Sequence, residues 1–274
     1  MIRVNVLPRT IRDACVTSFL LVMVPLTYWF ELFVVFPVFF KPWGLLYIIH
    51  IGLSLFLLFN IISNFFAIVF TDTSIRGRMI STKLDPEWRF CYSCESVAPP
   101  RSWHCSACDT CILKRDHHCM FTSCCIGHFN HRYFFMFIFY IFISLAYCLV
   151  YNTLYFWNLV EFRSWMTIVK LLFPLATLFI DNSLTQLSLF LYLLLTLSTI
   201  LCGVLLYYHG DLMLKGKVNH ERKSKDSKYN QGRKRNVTTV LGERWHLVWI
   251  SPFIESKLPG DGINWTVTEN HKTQ

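Results

Sequence analysis

The segment from Cys91 to Cys125 contains most of the side chains in this chain that can perform metal or covalent chemistry. Its sequence is CYSCESVAPPRSWHCSACDTCILKRDHHCMFTSCC, and it holds eight of the eleven cysteines. Cysteine pairs at C-x-x-C spacing, with histidines nearby, are typical of tetrahedral zinc sites that take four protein ligands each. In an oxidising compartment the same cysteines would predict disulfides, so the location of the segment decides between the two interpretations.

Eight residues of this segment are sufficient for two closed zinc sites. Spacing alone leaves open which four residues share each metal, because Cys108 belongs to two overlapping C-x-x-C turns. The candidate ligands are Cys91, Cys94, His104, Cys105, Cys108, Cys111, His118 and Cys125.

Three residues beside these ligands have the chemistry of an activated nucleophile. A thiolate at Cys119 can attack, the imidazole of His117 can move its proton, and the carboxylate of Asp116 can orient that imidazole. The candidate ligands His118 and Cys125 bracket Cys119 and could hold it rigidly. The alternative interpretation is that His117 and Cys119 are exposed loop residues of a zinc module.

The composition predicts a membrane protein. The chain is 54% hydrophobic and 16% charged, with a mean hydropathy of +0.40. Crossing a bilayer takes about 20 predominantly apolar residues, and the four segments that qualify are residues 14–36, 43–71, 133–160 and 182–208. A shorter apolar stretch at 171–180 is interpreted as an interfacial or re-entrant piece or a loop. Glu31 is expected near the far end of the first span or facing another helix.

Positive charge is distributed unevenly around these spans. All but three of the 26 Lys and Arg residues fall in the N-terminus, in residues 71–132 and in the tail from His209. Because Lys and Arg accumulate in cytoplasmic loops, both termini and the cysteine-rich segment are predicted to be cytosolic, where thiols stay reduced. The net charge of +9 is then a membrane feature, and no nucleic-acid partner is predicted. The basic run GRKRN at 232–236 is expected to touch anionic lipid.

Cys119 lies 14 residues before the third predicted span, which begins at Tyr133. A nucleophile at that position would meet lipidic substrates at the membrane interface. A long-chain acyl group could lie among the helices while its thioester reaches the thiol, and this alignment would supply proximity for catalysis.

The full spacing of the segment is C-x2-C-x9-HC-x2-C-x2-C-x4-DHHC-x5-C, with DHHC at residues 116–119. This pattern, set between two pairs of apolar segments, resembles the DHHC-type protein S-acyltransferases, or palmitoyltransferases. The resemblance implies an all-α polytopic membrane protein with four transmembrane helices and a cytosolic two-zinc cysteine-rich domain between helices 2 and 3. It also implies an enzyme that takes palmitate from palmitoyl-CoA and passes it to a protein cysteine.

The family pattern further implies a role for each matching residue. Cys119 is implied to be the nucleophile that carries the acyl thioester, with His117 and Asp116 as its activating partners. Long-chain acyl-CoA and membrane-associated proteins with cytosolic cysteines are the implied substrates. Two structural zinc ions are implied, one bound by Cys91, Cys94, His104 and Cys111 and the other by Cys105, Cys108, His118 and Cys125.

The sequence departs from the family pattern at several positions. Met120-Phe121 stands where the family usually has Pro-Trp, and Cys124 replaces an Asn, as a spare thiol or a second acylated or resolving position. The Asp-Pro-Gly element after the second helix appears as DTS at 72–74, and the Thr-Thr-x-Glu element as VNHE at 218–221. The family's C-terminal asparagine matches Asn236. These departures bear on turnover and acyl-chain preference.

The expected organisation has four parts, in Golgi or endoplasmic reticulum membranes. They are the cytosolic N-terminus with helices 1 and 2 (1–71), the cytosolic zinc domain (72–132), helices 3 and 4 with a lumenal loop (133–208) and the cytosolic tail (209–274). The competing hypothesis is a catalytically weak or inactive scaffold that binds partners through the same zinc module. A ubiquitin ligase-like module or a transporter fits less well, because the DHHC string is intact and the spans carry little charge.

Overall fold

Four long helices dominate the structure. The computed structural model describes residues 2–78, 87–159, 165–180, 183–224 and 228–267. Within those residues four helices are long and apolar enough to cross a membrane, which confirms the four predicted spans. These candidate spans are Ile11–Phe39, Leu45–Phe70, His131–Trp157 and Thr185–Leu214.

The element order places the cysteine-rich segment between the second and third spans. In chain order the elements are α1 (Ile11–Phe30), a π-helical turn (Glu31–Val35), α2 (Phe36–Phe39), α3 (Leu45–Phe70), β1 (Arg89–Cys91), β2 (Ser96–Ala98), β3 (Trp103–Cys105), β4 (Thr110–Ile112), β5 (His117–Cys119), β6 (Cys124–Ile126), α4 (His131–Leu159), α5 (Trp165–Leu172), α6 (Pro174–Ile180), α7 (Leu184–Leu214), a 3-10 turn (Asn219–Glu221) and α8 (Arg233–Leu241).

The structure refines the predicted bounds. The helix α7 continues to Leu214, six residues beyond the predicted end of the fourth span, so the predicted tail begins inside the helix. The apolar stretch 171–180 lies in α5 and α6, which are too short to cross a bilayer. The predicted outer ends of the third and fourth spans, Val160 and Asn182, lie outside the described residues.

The chain forms two compact units, and each long helix contributes to both. The first unit is built from the described residues of 1–23, 59–137 and 207–274, and it contains the cysteine-rich segment. The second unit is built from the described residues of 24–58 and 138–206, which are the remaining parts of the long helices and the short helices α5 and α6.

The first span contains a π-helical turn that ends just before Pro37. Proline lacks the N–H that would bond the carbonyl four residues earlier, and its ring crowds that carbonyl, so a change in helical winding is expected there. Within this turn the Glu31 side chain is only 4% exposed and accepts a hydrogen bond from the Asn152 amide of α4. Glu31 therefore faces another helix, as predicted.

The cysteine-rich segment forms three successive β-hairpins, which were not predicted because three-residue strands are too short to show an alternating pattern. Strands β1 and β2, β3 and β4, and β5 and β6 pair in antiparallel fashion. The hairpins repeat every 14 residues, so that Cys91, Cys105 and Cys119 each end the first strand of a hairpin. Each four-residue loop ends in a residue with positive φ, and these residues are Glu95, Asp109 and Ser123.

Gly127, directly after β6, lies against the segment that leaves α3. A Cβ atom at Gly127 would lie 2.6 Å from both the Leu113 carbonyl oxygen and the Thr73 hydroxyl. The same contact is fixed by the backbone N–H of Leu113, which donates to the Thr73 carbonyl at 2.9 Å.

The DTS turn is shaped by Asp72, whose carboxylate accepts bonds from the backbone N–H and the hydroxyl of Ser74 at 2.9 and 3.1 Å.

The close approach at Gly127 generates a stability prediction. We expect Gly127→Ala to lower the apparent midpoint of thermal unfolding, because overpacking of this kind costs about 1–3 kcal/mol. Thermal unfolding of the detergent-solubilised chain, followed by a thiol-reactive dye, measures the shift.

The matched control is Gly52→Ala in α3, where an added Cβ meets nothing within 4 Å. A helix interior gains about 1 kcal/mol from this change, so we expect an equal or higher midpoint. If Gly127→Ala unfolds at the same temperature as wild type, the hairpins are not packed this tightly against the end of α3.

Candidate active site and metal centres

The hairpins bring the predicted metal ligands together in two groups of four. Each group offers three thiol sulfurs and one imidazole nitrogen within 4.8 Å of one another, the donor set of a closed tetrahedral site. Each group could therefore hold one metal ion. The first group is Cys91, Cys94, His104 and Cys111, and the second is Cys105, Cys108, His118 and Cys125.

Cys119 ends the first strand of the third hairpin. The equivalent residues of the first two hairpins, Cys91 and Cys105, belong to the metal groups. Three residues later, where those hairpins have Cys94 and Cys108, the third hairpin has Thr122. The third hairpin keeps the backbone N–H of that residue against the sulfur of Cys119, as in the other two hairpins. The Cys119 thiol is therefore buried and oriented, but it belongs to neither metal group.

Asp116, His117 and Cys119 interact in a row. The Nδ1 atom of His117 donates to Oδ2 of Asp116 at 2.7 Å, and the Cys119 thiol interacts electrostatically with the imidazole. Burial lowers the pKa of His117, but the interactions with Asp116 and Cys119 outweigh it and raise the pKa to about 9. Burial raises the pKa of Cys119, but the interaction with His117 brings it below its ordinary value. The row favours a thiolate beside an imidazolium.

Three further residues lie around Asp116 from outside the DHHC string. The backbone N–H of Asn219 donates to Oδ1 of Asp116 at 2.7 Å. The Nδ1 atom of His209, near the end of α7, lies 3.4 Å from Oδ2, and His131 at the start of α4 belongs to the same buried group. Both histidines were missed in the sequence analysis, where the only available signal was a histidine at the end of an apolar span.

The VNHE stretch connects the tail to this site. Glu221 forms a bidentate ion pair with Arg101, with distances of 2.8 Å from Nε to Oε1 and 2.6 Å from Nη2 to Oε2. Both threonines of the family element are absent, yet the stretch reaches Asp116 through the backbone N–H of Asn219. A backbone donor is independent of the side chain, so this contact survives the substitution.

Of the other residues singled out from the sequence, Asn236 and Cys124 are buried, and Met120 and Phe121 are exposed. Asn236 is buried, and its amide donates to the Leu214 carbonyl at the end of α7 at 2.9 Å. Cys124 is buried opposite Cys119 in the third hairpin, and burial raises the pKa of its thiol to about 12. Cys124 is thus a protonated thiol. The Met120-Phe121 pair is exposed.

Asp13, in the first turn of α1, contacts the second metal group. Its Oδ2 atom lies 3.2 Å from Nε2 of His118, while Nδ1 of His118 faces the three sulfurs of the group at 3.4–3.8 Å. The Asp13 side chain is nearly inaccessible, with the residue 3% exposed. A carboxylate on the far nitrogen fixes the tautomer and the orientation of a metal-ligating histidine. No sequence motif marks Asp13.

Comparison with known proteins shows which family the sequence matches. A family model described as DHHC palmitoyltransferase matches residues 85–226, more than half of the chain. The chain belongs to the DHHC palmitoyltransferase family. It is 38% identical over 224 residues to the probable palmitoyltransferase ZDHHC24 of Danio rerio, covering 80% of this chain and 76% of that protein. It is 35% identical to the probable palmitoyltransferase ZDHHC24 of Homo sapiens, covering 80% of this chain and 79% of that protein.

Membership of the DHHC palmitoyltransferase family confirms the resemblance inferred from the motif, and with it the expected class of enzyme. The fold agrees, because four long apolar helices enclose a cysteine-rich segment between the second and third.

The contact of Asp13 with His118 generates a metal-retention prediction. We expect Asp13→Ala to release one metal ion at a chelator concentration about 10- to 100-fold lower than wild type, because loss of such a partner weakens metal affinity by that factor. Asp13→Asn keeps an acceptor oxygen and should fall between the two. Metal content per chain after dialysis against graded chelator measures the effect.

The control variant is Asp211→Asn, which removes an exposed carboxylate paired with Lys215 on α7. It should retain metal like wild type. An Asp13→Ala protein that holds its metal as firmly as the control would rule out this role for Asp13.

Proposed function

We propose that this palmitoyltransferase carries the acyl group as a thioester on Cys119 and transfers it to cysteines of membrane-associated proteins. The observation that carries the proposal is the hydrogen bond of 2.7 Å between His117 and Asp116, on an imidazole that interacts with the Cys119 thiol and lowers its pKa. A thiol beside a positioned imidazole has the arrangement that a nucleophilic cysteine requires. The position of Cys119 outside both metal groups adds support.

Palmitoyl-CoA is the proposed acyl donor. The Cys119 thiolate attacks the thioester carbonyl, the bond between the acyl carbon and the CoA sulfur breaks, and His117 gives its proton to the departing thiolate. In the second half-reaction His117 takes the proton of the substrate cysteine. The resulting thiolate attacks the acyl-enzyme, and Cys119 leaves as the thiolate that begins the next cycle.

We assign one zinc ion to each group of four ligands. Three thiols and an imidazole are a zinc donor set, and four protein ligands leave no open position for a substrate. The proposed ions are therefore structural, and they hold the hairpins that present Cys119.

The proposed orientation has both termini and the zinc domain in the cytosol, at Golgi or endoplasmic reticulum membranes. The excess of Lys and Arg in those parts supports it. Contacts of the N-terminus with the cysteine-rich domain add support, since the Arg9 guanidinium donates to the Cys108 carbonyl at 2.7 Å. The four parts, 1–71, 72–132, 133–208 and 209–274, are kept, with α7 continuing to Leu214.

An inactive scaffold is the competing proposal, motivated by the residues after Cys119 and by the absent threonines. The bond from the Asn219 backbone to Asp116 at 2.7 Å favours the enzyme, because the altered tail element still contacts the carboxylate. The burial of Cys124 favours a spare thiol over a second acylated position.

The thioester at Cys119 is tested by labelling with an alkyne analogue of palmitate. We expect wild type to carry a label that hydroxylamine releases and Cys119→Ser to carry none, because serine lacks the thiolate that attacks. In-gel fluorescence of the purified chain measures the label, and zinc content shows that the variant is folded.

Cys124→Ser is the matched control, since it removes the opposing thiol of the same hairpin. It should keep the label. The scaffold hypothesis would be favoured if the folded, zinc-loaded wild type took no label from the palmitate analogue or from shorter or longer acyl analogues.

A second prediction concerns the contact of 3.4 Å between Nδ1 of His209 and Oδ2 of Asp116. We expect His209→Leu to slow formation of the acyl-enzyme by about 10- to 100-fold, because a small displacement of catalytic groups has effects of this size. His209→Asn places an amide nitrogen near the position of Nδ1 and should recover part of the rate. Single-turnover labelling with palmitoyl-CoA measures it.

Zinc content should be unchanged in both His209 variants. If leucine and asparagine slow the reaction equally, His209 acts only through packing and does not position Asp116.

A further inference from the structure

The tail contains an apolar stretch that the four spans do not account for. Ten residues, Trp245–Ile254, contain no Asp, Glu, Lys or Arg and lie between Arg244 and Glu255 in an otherwise basic tail. A stretch of this length is too short to cross a bilayer and is typical of re-entrant or interfacial segments.

The two ends of this stretch are tied together in a narrow neck. The Ser256 hydroxyl donates to the Leu241 carbonyl and accepts from the Arg244 backbone N–H, both at 2.9 Å. Gly242 has a φ of +84°, and a Cβ there would lie 2.3 Å from the Ser256 hydroxyl, so the neck needs glycine. Residues 244–255 are therefore a closed loop.

The neck is fixed where the third span begins. The Arg132 guanidinium, one residue into α4, donates to the Ser256 carbonyl at 3.2 Å and to the Tyr133 hydroxyl at 2.7 Å. Arginine and tyrosine at the end of a span are typical of the membrane interface. The neck therefore lies at the level of the lipid headgroups.

The tip of the loop lies much deeper along α3. The Asn60 amide donates to the Ile250 carbonyl at 3.4 Å, and the rings of Phe59 and Phe253 lie 6.1 Å apart between centroids. Asn60 is ten residues from Phe70, where α3 ends, and ten residues of helix extend about 15 Å. The tip thus lies beside the middle of a membrane-spanning helix.

Apolar side chains at the tip point outward. Ile250 is 57% exposed and Phe253 is 76% exposed. They continue the exposed apolar surface of α3, where Phe59 and Phe66 are also exposed. At that depth, exposed apolar side chains are compatible with lipid acyl chains.

Part of the loop backbone meets the requirement that lipid imposes. Polar backbone groups inside a bilayer need protein partners. Consecutive turns supply several of them, since Leu247 N–H donates to the Arg244 carbonyl at 2.9 Å and Ile250 N–H to the Leu247 carbonyl at 3.0 Å. The Ile250 carbonyl in turn accepts from the Asn60 side chain.

We propose that residues 244–255 form a re-entrant loop, which enters the leaflet on the side of the cysteine-rich domain and is surrounded at its tip by lipid acyl chains. The tail is then anchored in the membrane at a point separate from the four spans. This anchoring requires no acyl transfer, so its test is independent of the proposed function.

The test uses the full chain in phosphatidylcholine vesicles that contain a photoreactive diazirine lipid. With the diazirine in the middle of the acyl chain, we expect the peptide that contains Ile250 and Phe253 to be labelled as strongly as peptides of α3, as mapped by mass spectrometry. A water-soluble diazirine should instead label α8, Arg233–Leu241. Labelling of the loop by the water-soluble reagent alone would overturn the proposal and indicate a surface for a protein partner.

Two variants sharpen the test. Phe253→Leu keeps an apolar tip and should keep the acyl-chain label. Phe253→Lys places a charge in the hydrocarbon, so the label should move from the acyl-chain reagent to the aqueous one. If Phe253→Lys does not fold, the wild-type and Phe253→Leu patterns decide. Acyl-chain labelling that is equal in all three proteins would contradict insertion of this tip.

Discussion

The clustering of eight cysteine and histidine side chains into two groups, each able to hold one metal ion, is the constraint on which the cysteine-rich domain depends. Hairpins of two three-residue strands are too short to be stable alone, and each metal group joins two of them. The first group takes ligands from hairpins one and two, and the second from hairpins two and three. The strand that carries Cys119 also carries His118, a member of the second group, so a metal ion held there would fix Cys119, the proposed nucleophile, through its neighbour.

The Asp116 carboxylate connects this domain to distant parts of the chain. It contacts His117, the first residue of β5, His209 near the end of the fourth span and the backbone of Asn219 in the tail. The start of β5, the end of α7 and the start of the 3-10 turn therefore all lie close to the Asp116 side chain. A shift of the fourth helix or of the tail would therefore move Asp116, and with it the His117 imidazole that faces Cys119.

Chemistry with a fixed spacing could be predicted from the sequence, and contacts between distant segments could not. The four spans followed from apolar runs, and the class of enzyme followed from the DHHC pattern. Asp13 and His209 escaped notice because each is linked to the site only by contacts with residues about a hundred positions away in the sequence. The hairpins escaped because turn geometry shapes them, and their three-residue strands show no periodic pattern. The uncharged ten-residue stretch from Trp245 was visible in the sequence but was assigned to the cytosolic tail as a whole.

The 14-residue repeat gives the Met120-Phe121 substitution a different meaning. The two corresponding loop positions hold Tyr92-Ser93 in the first hairpin and Ser106-Ala107 in the second. Side chains this different fit the same turn because the sulfur is oriented by backbone N–H groups. The Met120-Phe121 side chains are therefore not needed to hold the Cys119 thiol in this turn. They form an exposed rim beside Cys119, the proposed nucleophile, where the sequence can diverge and alter the approach of acyl chains and proteins without changing the turn itself.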